Sequence, residues 1–210
     1  MFHKICRRIV FPIVKLFYRM KVKGLENLPK DENYIIVSNH LGMIDCFAIA
    51  TMFKQKIYFM AKKELFNKKL KAKFIRWLGG IPVDREKLDI TTIKECFKTL
   101  KNGDILVVFP EGTRNRKVDE IDLLPLKGGA NLIAFKTNSK IVPVGMAKKY
   151  KVFRKNHMYI GEPYDYSCYQ GQKLSAELSE ELTEDMRVRI LDCIKKARDF
   201  AKESKKWKPF

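Results

Sequence analysis

The sequence predicts an α/β fold, a single domain with a largely parallel sheet flanked by helices. Its 210 residues suit one domain with a sizeable hydrophobic core. Short apolar runs that are typical of buried strands alternate with longer segments of helical periodicity. No repeat or low-complexity linker divides the chain. Such alternation is typical of domains in which helices connect parallel strands, and ligands then collect beyond the carboxyl ends of the strands.

Six strands and five helices are predicted along the chain. A turn-rich stretch with Gly24 and Pro29 leads into the first strand. The predicted strands are 34–37, 57–60, 81–83, 105–109, 141–145 and 158–160. The predicted helices are 46–53, 65–78, 90–102, 129–137 and 183–200. The last helix begins acidic and continues basic, and we expect it to pack on the domain as a C-terminal element.

Residues 1–22 are predicted as an amphipathic helical segment that associates with a membrane, and residues 23–210 as the main domain. On a helical wheel of about 100° per residue, apolar and basic side chains occupy opposite faces, with Phe11 and Tyr18 as exceptions. The apolar face carries Ile5, Cys6, Ile9, Val10, Ile13, Val14, Leu16 and Phe17, and the basic face carries Lys4, Arg7, Arg8, Lys15 and Arg19. Pro12 should kink the helix. The uncharged run 9–14 is far shorter than the ~20 residues of a membrane span, so the segment should lie in the surface of an anionic membrane. The alternative is a helix that packs on a soluble domain.

The net charge indicates a polyanionic partner. The chain has 43 Lys and Arg against 24 Asp and Glu, a formal charge of +19. Such a surface attracts nucleic acid, anionic membrane or a phosphorylated ligand. Nucleic acid is disfavoured, because aromatic residues such as Phe53, Tyr58 and Phe59 lie in apolar runs and should be buried instead of stacking on bases.

The cysteines indicate reduced thiols in a cytosolic compartment. They are odd in number, scattered, and form no Cys-x-x-Cys pair. The two histidines outside the motifs, His3 and His157, are far from any cysteine cluster. No metal site is therefore predicted.

The first chemical motif is His40 with Asp45. An apolar run that predicts a strand ends just before His40, and Asp45 follows about one helical turn later. A carboxylate there can accept a hydrogen bond from one imidazole nitrogen and leave the other free to take a proton from a hydroxyl. Alternatively, Asp45 caps the following helix and His40 is an ordinary loop histidine.

The second motif follows the strand that ends at Phe109. Gly112 permits an unusual backbone angle or the close approach of a ligand. Thr113 supplies a hydroxyl, and Arg114 a planar guanidinium that matches phosphate. Glu111 can orient a neighbouring arginine or accept from a polar ligand. By itself the stretch also fits a turn with a surface arginine.

The third motif is the stretch from Gly79 to Arg85. A glycine pair precedes a short apolar strand that ends at Asp84 and Arg85. Arg85 suits a second guanidinium on the same anion, since arginines bind phosphate in a bidentate manner. The alternative is a solvated pair of Asp84 with Arg85.

Taken together, the chain resembles the glycerolipid acyltransferase family, and within it the bacterial 1-acyl-glycerol-3-phosphate (lysophosphatidic acid) acyltransferases. Asn39-His40 with Asp45 matches the catalytic block of the family. The stretches 79–85, 109–114 and 141–144 match three further blocks in the family's order and spacing. The resemblance runs from about Gly24 to Ile160. Many relatives carry serine where this chain has Gly42, a position that is not catalytic in the family.

The resemblance implies a general base and a phosphate pocket. His40 would deprotonate the free hydroxyl of the lysophospholipid for direct attack on an acyl thioester, with Asp45 holding the imidazole. The residues implied for the phosphate are Lys62, Arg85, Glu111, Gly112, Thr113 and Arg114. No cofactor is implied, and acyl-CoA or acyl-ACP serves as co-substrate. The enzyme is expected on the cytoplasmic face of the cell membrane as a peripheral, monotopic protein.

Three alternatives stay open at this point. The acceptor could be another lysolipid or an aminoacyl lipid. The chain could be a basic membrane- or nucleic-acid-binding module without catalysis, which would leave His40 and Asp45 without a role. Within an enzyme, Cys46 could act as a nucleophile activated by His40 and form a covalent acyl-enzyme.

Overall fold

The fold is built on seven strands and five α-helices, in a computed structural model that describes residues 12–14, 16–30, 33–53, 56–84, 89–118 and 121–206. The strands are β1 (Met20–Lys23), β2 (Tyr34–Ser38), β3 (Ile57–Lys62), β4 (Gly80–Val83), β5 (Ile105–Val108), β6 (Lys140–Met146) and β7 (Asn156–Ile160). The helices are α1 (Asp45–Ala50), α2 (Lys69–Trp77), α3 (Ile90–Lys101), α4 (Gly129–Thr137) and α5 (Ala176–Lys206). Short 3-10 turns lie at Leu25–Asn27, Lys63–Phe66 and Ser167–Tyr169.

The strands form one sheet in the order β1-β7-β6-β2-β5-β3-β4. Strands β6, β2, β5, β3 and β4 run parallel to one another. Strand β7 is antiparallel to β6, and β1 is parallel to β7. The prediction of an α/β domain with a largely parallel sheet flanked by helices is confirmed.

Strand β1 differs from the prediction. Residues 20–22 were assigned to the N-terminal helical segment, but Met20–Lys23 forms an edge strand of alternating exposure. Its partner is β7, where Met20 pairs with Asn156, so the pairing depends on residues far along the chain. Residues 12–14 and 16–18 are helical, and residues 1–11 and 15 of the predicted segment lie outside the described residues.

The helix expected at 65–78 is also different, because it is divided into the 3-10 turn Lys63–Phe66 and helix α2. The predicted C-terminal helix is longer than expected, since α5 begins at Ala176. Helix α5 approaches β6 closely at Gly145, where a Cβ would lie 2.2 Å from the backbone carbon of Cys193. Within the described residues, no helix combines the length and apolarity that a membrane span requires.

The central strand β2 is buried on both faces, as expected for the middle of a covered parallel sheet. Its side chains alternate between two hydrophobic layers. Ile35 and Val37 pack into the layer formed with α3, α4 and α5. Tyr34 and Ile36 pack into the layer that contains α1. The carboxyl ends of β6, β2, β5, β3 and β4 consequently share one edge, and the segments that follow them meet there.

Candidate active site

The structure joins His40 to Asp45 at the carboxyl end of β2. The Nδ1 atom of His40 lies 2.8 Å from Oδ2 of Asp45. The same oxygen accepts hydrogen bonds from the backbone amides of Leu41 and Gly42, both at 2.7 Å. Asp45 is fully buried, whereas the His40 side chain keeps 13% of its surface exposed. Because a carboxylate only accepts, Nδ1 carries the hydrogen, and Nε2 of the neutral ring carries a lone pair.

The position of Asp45 distinguishes this pair from a helix cap. The N-cap residue of α1 is Ile44, and no side chain caps it. Asp45 is the first residue of the helix and turns its Oδ2 back to the preceding loop. The three donors thereby hold the carboxylate against the imidazole and fix the ring.

Glu111 supports the backbone of His40. Its Oε1 accepts from the His40 amide at 2.6 Å, and its Oε2 accepts from the Leu124 amide at 2.9 Å. The residue is buried, and this burial raises the pKa of the Glu111 carboxyl in spite of the two amide bonds. The two amide bonds give Glu111 a positioning role for the His40 backbone, and its binding of substrate stays a prediction.

Asn115 and Asn39 complete this support, and neither was among the expected site residues. The amide of Asn115 donates to the His40 carbonyl at 2.7 Å, so the 111–115 turn holds both sides of the His40 backbone. The side chain of Asn39 pairs with both the amide and the carbonyl of Met146, at 2.9 and 3.1 Å, and so joins β2 to β6. Asn39 and Asn115 are buried. In the sequence Asn39 stands in the motif directly before His40, and Asn115 directly follows Arg114.

One face of the His40 ring is covered by Phe109. The two rings are stacked with centroids 4.2 Å apart and an interplanar angle of 22°. The ring is therefore held by packing on one face and by the carboxylate at Nδ1. This restricts the imidazole to an orientation in which Nε2 is the atom left for chemistry.

The residues expected to bind phosphate lie at different places along the edge. Gly112 adopts a left-handed φ of 65°, and a Cβ there would lie 3.2 Å from Cε of Lys127. Thr113 and Arg114 are exposed. Lys62 is also exposed at the end of β3, with its Nζ 2.9 Å from Oε1 of Glu64.

Two cavities border the His40 turn. The smaller one, about 140 Å³, is bounded by His40 and Gly112 and by apolar side chains including Met60 and Val108. The larger one, about 950 Å³, touches Gly42 and Met43 on the side of β6. Its basic lining, named here the basic cavity, consists of Arg114, Arg116, Lys148, Lys149, Lys151 and Arg198.

The structure brings Arg114 to the basic cavity, whereas Lys62 at the end of β3 lines neither of the two cavities. Arg85 lies outside the described residues. Within the part of the chain that the structure describes, no group of three His, Cys, Asp or Glu side chains is arranged to hold a metal ion.

Cys46 follows Asp45 in α1 and is half-buried. Burial, with a smaller contribution from the neighbouring Asp45 carboxylate, raises the pKa of the Cys46 thiol to about 12. The thiol is therefore protonated at neutral pH and is a poor nucleophile. The arrangement favours direct proton abstraction by His40 over a cysteine-linked intermediate.

Comparisons with known proteins place the chain among acyltransferases. A family model described as acyltransferase matches residues 19–147. The chain is 32% identical over 194 residues to the 1-acyl-sn-glycerol-3-phosphate acyltransferase of Bacillus subtilis (strain 168), covering 88% of this chain and 95% of that protein. It is 39% identical over 146 residues to the protein of the same name from Streptococcus pneumoniae (strain ATCC BAA-255 / R6), covering 66% of this chain and about half, 52%, of that protein. The crystal structure of the 1-acyl-sn-glycerophosphate (LPA) acyltransferase PlsC from Thermotoga maritima matches with a TM-score of 0.62 and 26% identity, over 99% of this chain and 85% of that one.

Proposed function

Because the chain belongs to the acyltransferase family, we propose that it transfers a fatty acyl group from a thioester to the free sn-2 hydroxyl of 1-acyl-sn-glycerol-3-phosphate. The product is phosphatidic acid, a precursor of phospholipids. The observation that carries this proposal is the pair of His40 Nδ1 with the buried Asp45 carboxylate at 2.8 Å, in a chain that matches such an acyltransferase over nearly its whole length. The family resemblance found in the sequence motifs is confirmed.

The proposed mechanism uses His40 as general base. Its Nε2 takes the proton of the acceptor hydroxyl as that oxygen attacks the thioester carbonyl. The tetrahedral intermediate collapses, the carbon–sulfur bond breaks, and the proton passes from the imidazolium to the leaving thiolate. Asp45 stabilises the imidazolium between these two transfers. Glu111 and Asn115 hold the backbone of His40 in register with the reacting atoms.

In this proposal, the phosphate of the acceptor is bound by the exposed cationic side chains at the same edge of the sheet. Arg114 is the principal candidate because its guanidinium can grip two phosphate oxygens. Gly112 and Thr113 would shape the turn that presents it. Lys62 and Arg85 remain proposed contributors from the ends of β3 and β4.

Arg114→Lys should raise KM for lysophosphatidic acid about tenfold and change KM for the thioester much less, because lysine keeps the charge and loses the bidentate fork. Initial rates with each substrate varied in turn measure both constants. The matched control is Arg187→Lys on α5, outside the two cavities beside His40, which should leave both constants unchanged. If only KM for the thioester rose, Arg114 would belong to the binding site of the acyl donor instead.

Cys46→Ala should retain wild-type turnover, because the raised pKa of the thiol and the Asp45 bond to His40 leave no route to a thiolate nucleophile. Mass spectrometry of the wild-type protein after mixing with the thioester alone should show no added acyl mass. A stoichiometric adduct on Cys46 would instead establish a covalent acyl-enzyme.

One assay identifies both the acyl acceptor and the acyl donor. Lysophosphatidic acid, other lysolipids and an aminoacyl lipid are each offered with acyl-CoA and with acyl-ACP, and the products are identified by mass. We expect phosphatidic acid as the main product, and no added cofactor in the reaction. A preference for another lysolipid would move the proposal to that acceptor without changing the role of His40.

We further propose that the enzyme acts at an anionic membrane, on its cytoplasmic face, through the segment 1–22. The described part of that segment supports this, because Ile13, Leu16 and Phe17 are exposed on a helical stretch. The acceptor is a lipid with a charged head and one acyl chain. An enzyme that binds the head from the aqueous side is best placed at the membrane surface.

A further inference from the structure

We propose that residues 151–155, the second part of the loop between β6 and β7, are a second membrane contact that docks on an anionic lipid surface beside the N-terminal helical residues. We call residues 151–155 the docking loop. Docking in this orientation turns the mouth of the basic cavity toward the lipid. The proposed function explains why the active site should face a bilayer, and the proposal rests on it to that extent. The evidence for the membrane contact comes from the docking loop itself.

The tip of the docking loop exposes two large apolar side chains. Val152 is 46% exposed and Phe153 is 64% exposed. Phe153 also has a left-handed φ of 58°, which is uncommon for a bulky side chain. A loop that keeps an aromatic side chain mostly in solvent gains free energy when that side chain is buried in an apolar phase.

The docking loop is joined to the N-terminal helical residues. The amide of Phe153 donates to the carbonyl of Phe17 at 2.6 Å, and their rings lie 5.1 Å apart. The buried side chain of Asn156 donates to the carbonyls of Tyr18, Lys151 and Arg154. Its Oδ1 accepts from the Lys151 amide at 2.9 Å. These bonds make the loop and the helix one surface.

This surface combines exposed apolar side chains with exposed basic ones. The exposed apolar side chains are Ile13, Leu16, Phe17, Val152 and Phe153. The exposed basic residues beside them in sequence are Lys148, Lys149, Lys151, Arg154 and Lys155, and no acidic residue lies between 147 and 155. Apolar side chains enter the acyl boundary of a bilayer while the surrounding cations contact anionic headgroups, so an anionic lipid surface is the partner that fits.

The topology places this surface at the edge that carries the active site. The docking loop follows β6, whose carboxyl end lies beside that of β2 and His40. The helical residues precede β1, which runs opposite to β6, so they lie at the same edge. Lys148, Lys149 and Lys151 line the basic cavity together with Met43, which is 76% exposed. A lipid held in the bilayer would therefore reach the cavity directly.

The test is vesicle binding by the full chain. We change the tip with Val152→Ser and Phe153→Asn, since asparagine tolerates a left-handed φ. Co-sedimentation with phosphatidylglycerol vesicles should weaken roughly tenfold or more, because two apolar side chains lose their burial. The matched controls are Val188→Ser on α5 and Ile90→Ser on α3, which replace equally exposed apolar residues and should bind as the wild type does.

Two further measurements separate the contribution of apolar insertion to vesicle binding from the contribution of charge. A Phe153→Trp variant should show quenching by bromine-labelled acyl chains beyond that of the wild-type tryptophans. Replacing Lys151, Arg154 and Lys155 by glutamine should weaken binding to phosphatidylglycerol vesicles at low salt and change binding to phosphatidylcholine vesicles little. Unchanged vesicle binding by the tip variant, or no extra quenching at position 153, would overturn the proposal that the docking loop contacts the membrane.

The two proposals fail in distinguishable ways. We expect the tip variant to lose activity on bilayer-embedded lysophosphatidic acid about as much as it loses vesicle binding, and to keep wild-type activity on a short-chain acceptor in solution. Equal losses on both acceptors would show that the loop serves the fold and overturn its docking role. Wild-type protein that binds vesicles through the tip but transfers no acyl group to any acceptor would overturn the proposed function alone.

Discussion

Replacing His40 by alanine should lower kcat/KM for acyl transfer by at least about 10²–10⁴-fold, the usual contribution of a general base. The acceptor hydroxyl would then lose the Nε2 atom that takes its proton, and no other group of the described site offers a free basic nitrogen held in place by a buried carboxylate. The fold should survive, because the His40 backbone bonds to Glu111 and Asn115 do not involve the ring. Circular dichroism and a thermal melt establish this before kinetics are measured.

His40→Gln is the matched control for shape. Its amide can still donate to Asp45, but it has no nitrogen that takes a proton, so it should be as inactive as alanine. Asp45→Asn should be severely impaired as well, since an amide oxygen can accept the three hydrogen bonds but carries no charge to stabilise the imidazolium. A folded His40→Ala protein with wild-type turnover would falsify the proposed mechanism.

Glu111→Ala should reduce both stability and catalysis, although Glu111 itself touches no reacting atom. Two backbone amides, those of His40 and Leu124, would lose their acceptor in a buried place. Each such loss costs about 1–3 kcal/mol, so the free energy of unfolding should fall by several kcal/mol. In the variant that remains folded at low temperature, kcat should fall more than KM rises, because the imidazole is less well placed while the binding cations are intact.

Two further variants serve as comparisons for Glu111→Ala: Glu111→Gln as an intermediate case and Glu180→Ala as a surface control. Glutamine keeps one accepting oxygen and turns an NH₂ group toward the other amide, so its stability should lie between wild type and Glu111→Ala. Glu180 is an exposed carboxylate of α5, and its removal should change the free energy of unfolding by no more than about 0.5 kcal/mol. If Glu111→Ala were as stable and active as Glu180→Ala, the two backbone hydrogen bonds that Glu111 accepts would contribute neither to stability nor to catalysis.

Local patterns were the reliable part of the sequence analysis. The apolar run of β2 and the spacing from His40 to Asp45 depend on neighbours within about one helical turn, and the structure joins those two side chains at 2.8 Å. The alternation of strands and helices likewise predicted the parallel sheet, because a helical crossover is the usual way to connect adjacent parallel strands. The catalytic roles of both residues remain predictions for the variants above.

Longer-range relations were not predictable in this way. Strand β1 was missed because Met20–Lys23 is short, and only its pairing with β7 makes it a strand. The bond of Glu111 to the His40 backbone was missed, since a carboxylate in a turn does not reveal that the His40 amide, 71 residues earlier, lies within 2.6 Å. Arg114 and Lys62 were grouped at one phosphate, whereas in the structure Arg114 lines the basic cavity and Lys62 lies outside it with its Nζ beside Glu64, so that their binding of one phosphate stays a prediction.

The sequence by itself therefore determined the fold class and the His40–Asp45 pair, because these follow from periodicity and from spacings that the local backbone preserves. Its motifs also carried the resemblance to the family. Only the tertiary structure decided what supports His40, which cations share a cavity, and that Phe153 meets Phe17 at the edge beside the site. The physical reason is that a short polar or apolar stretch has the same composition whether it faces solvent, substrate or a distant backbone amide. The packing of the sheet selects among these environments, since it brings together residues that the chain keeps far apart.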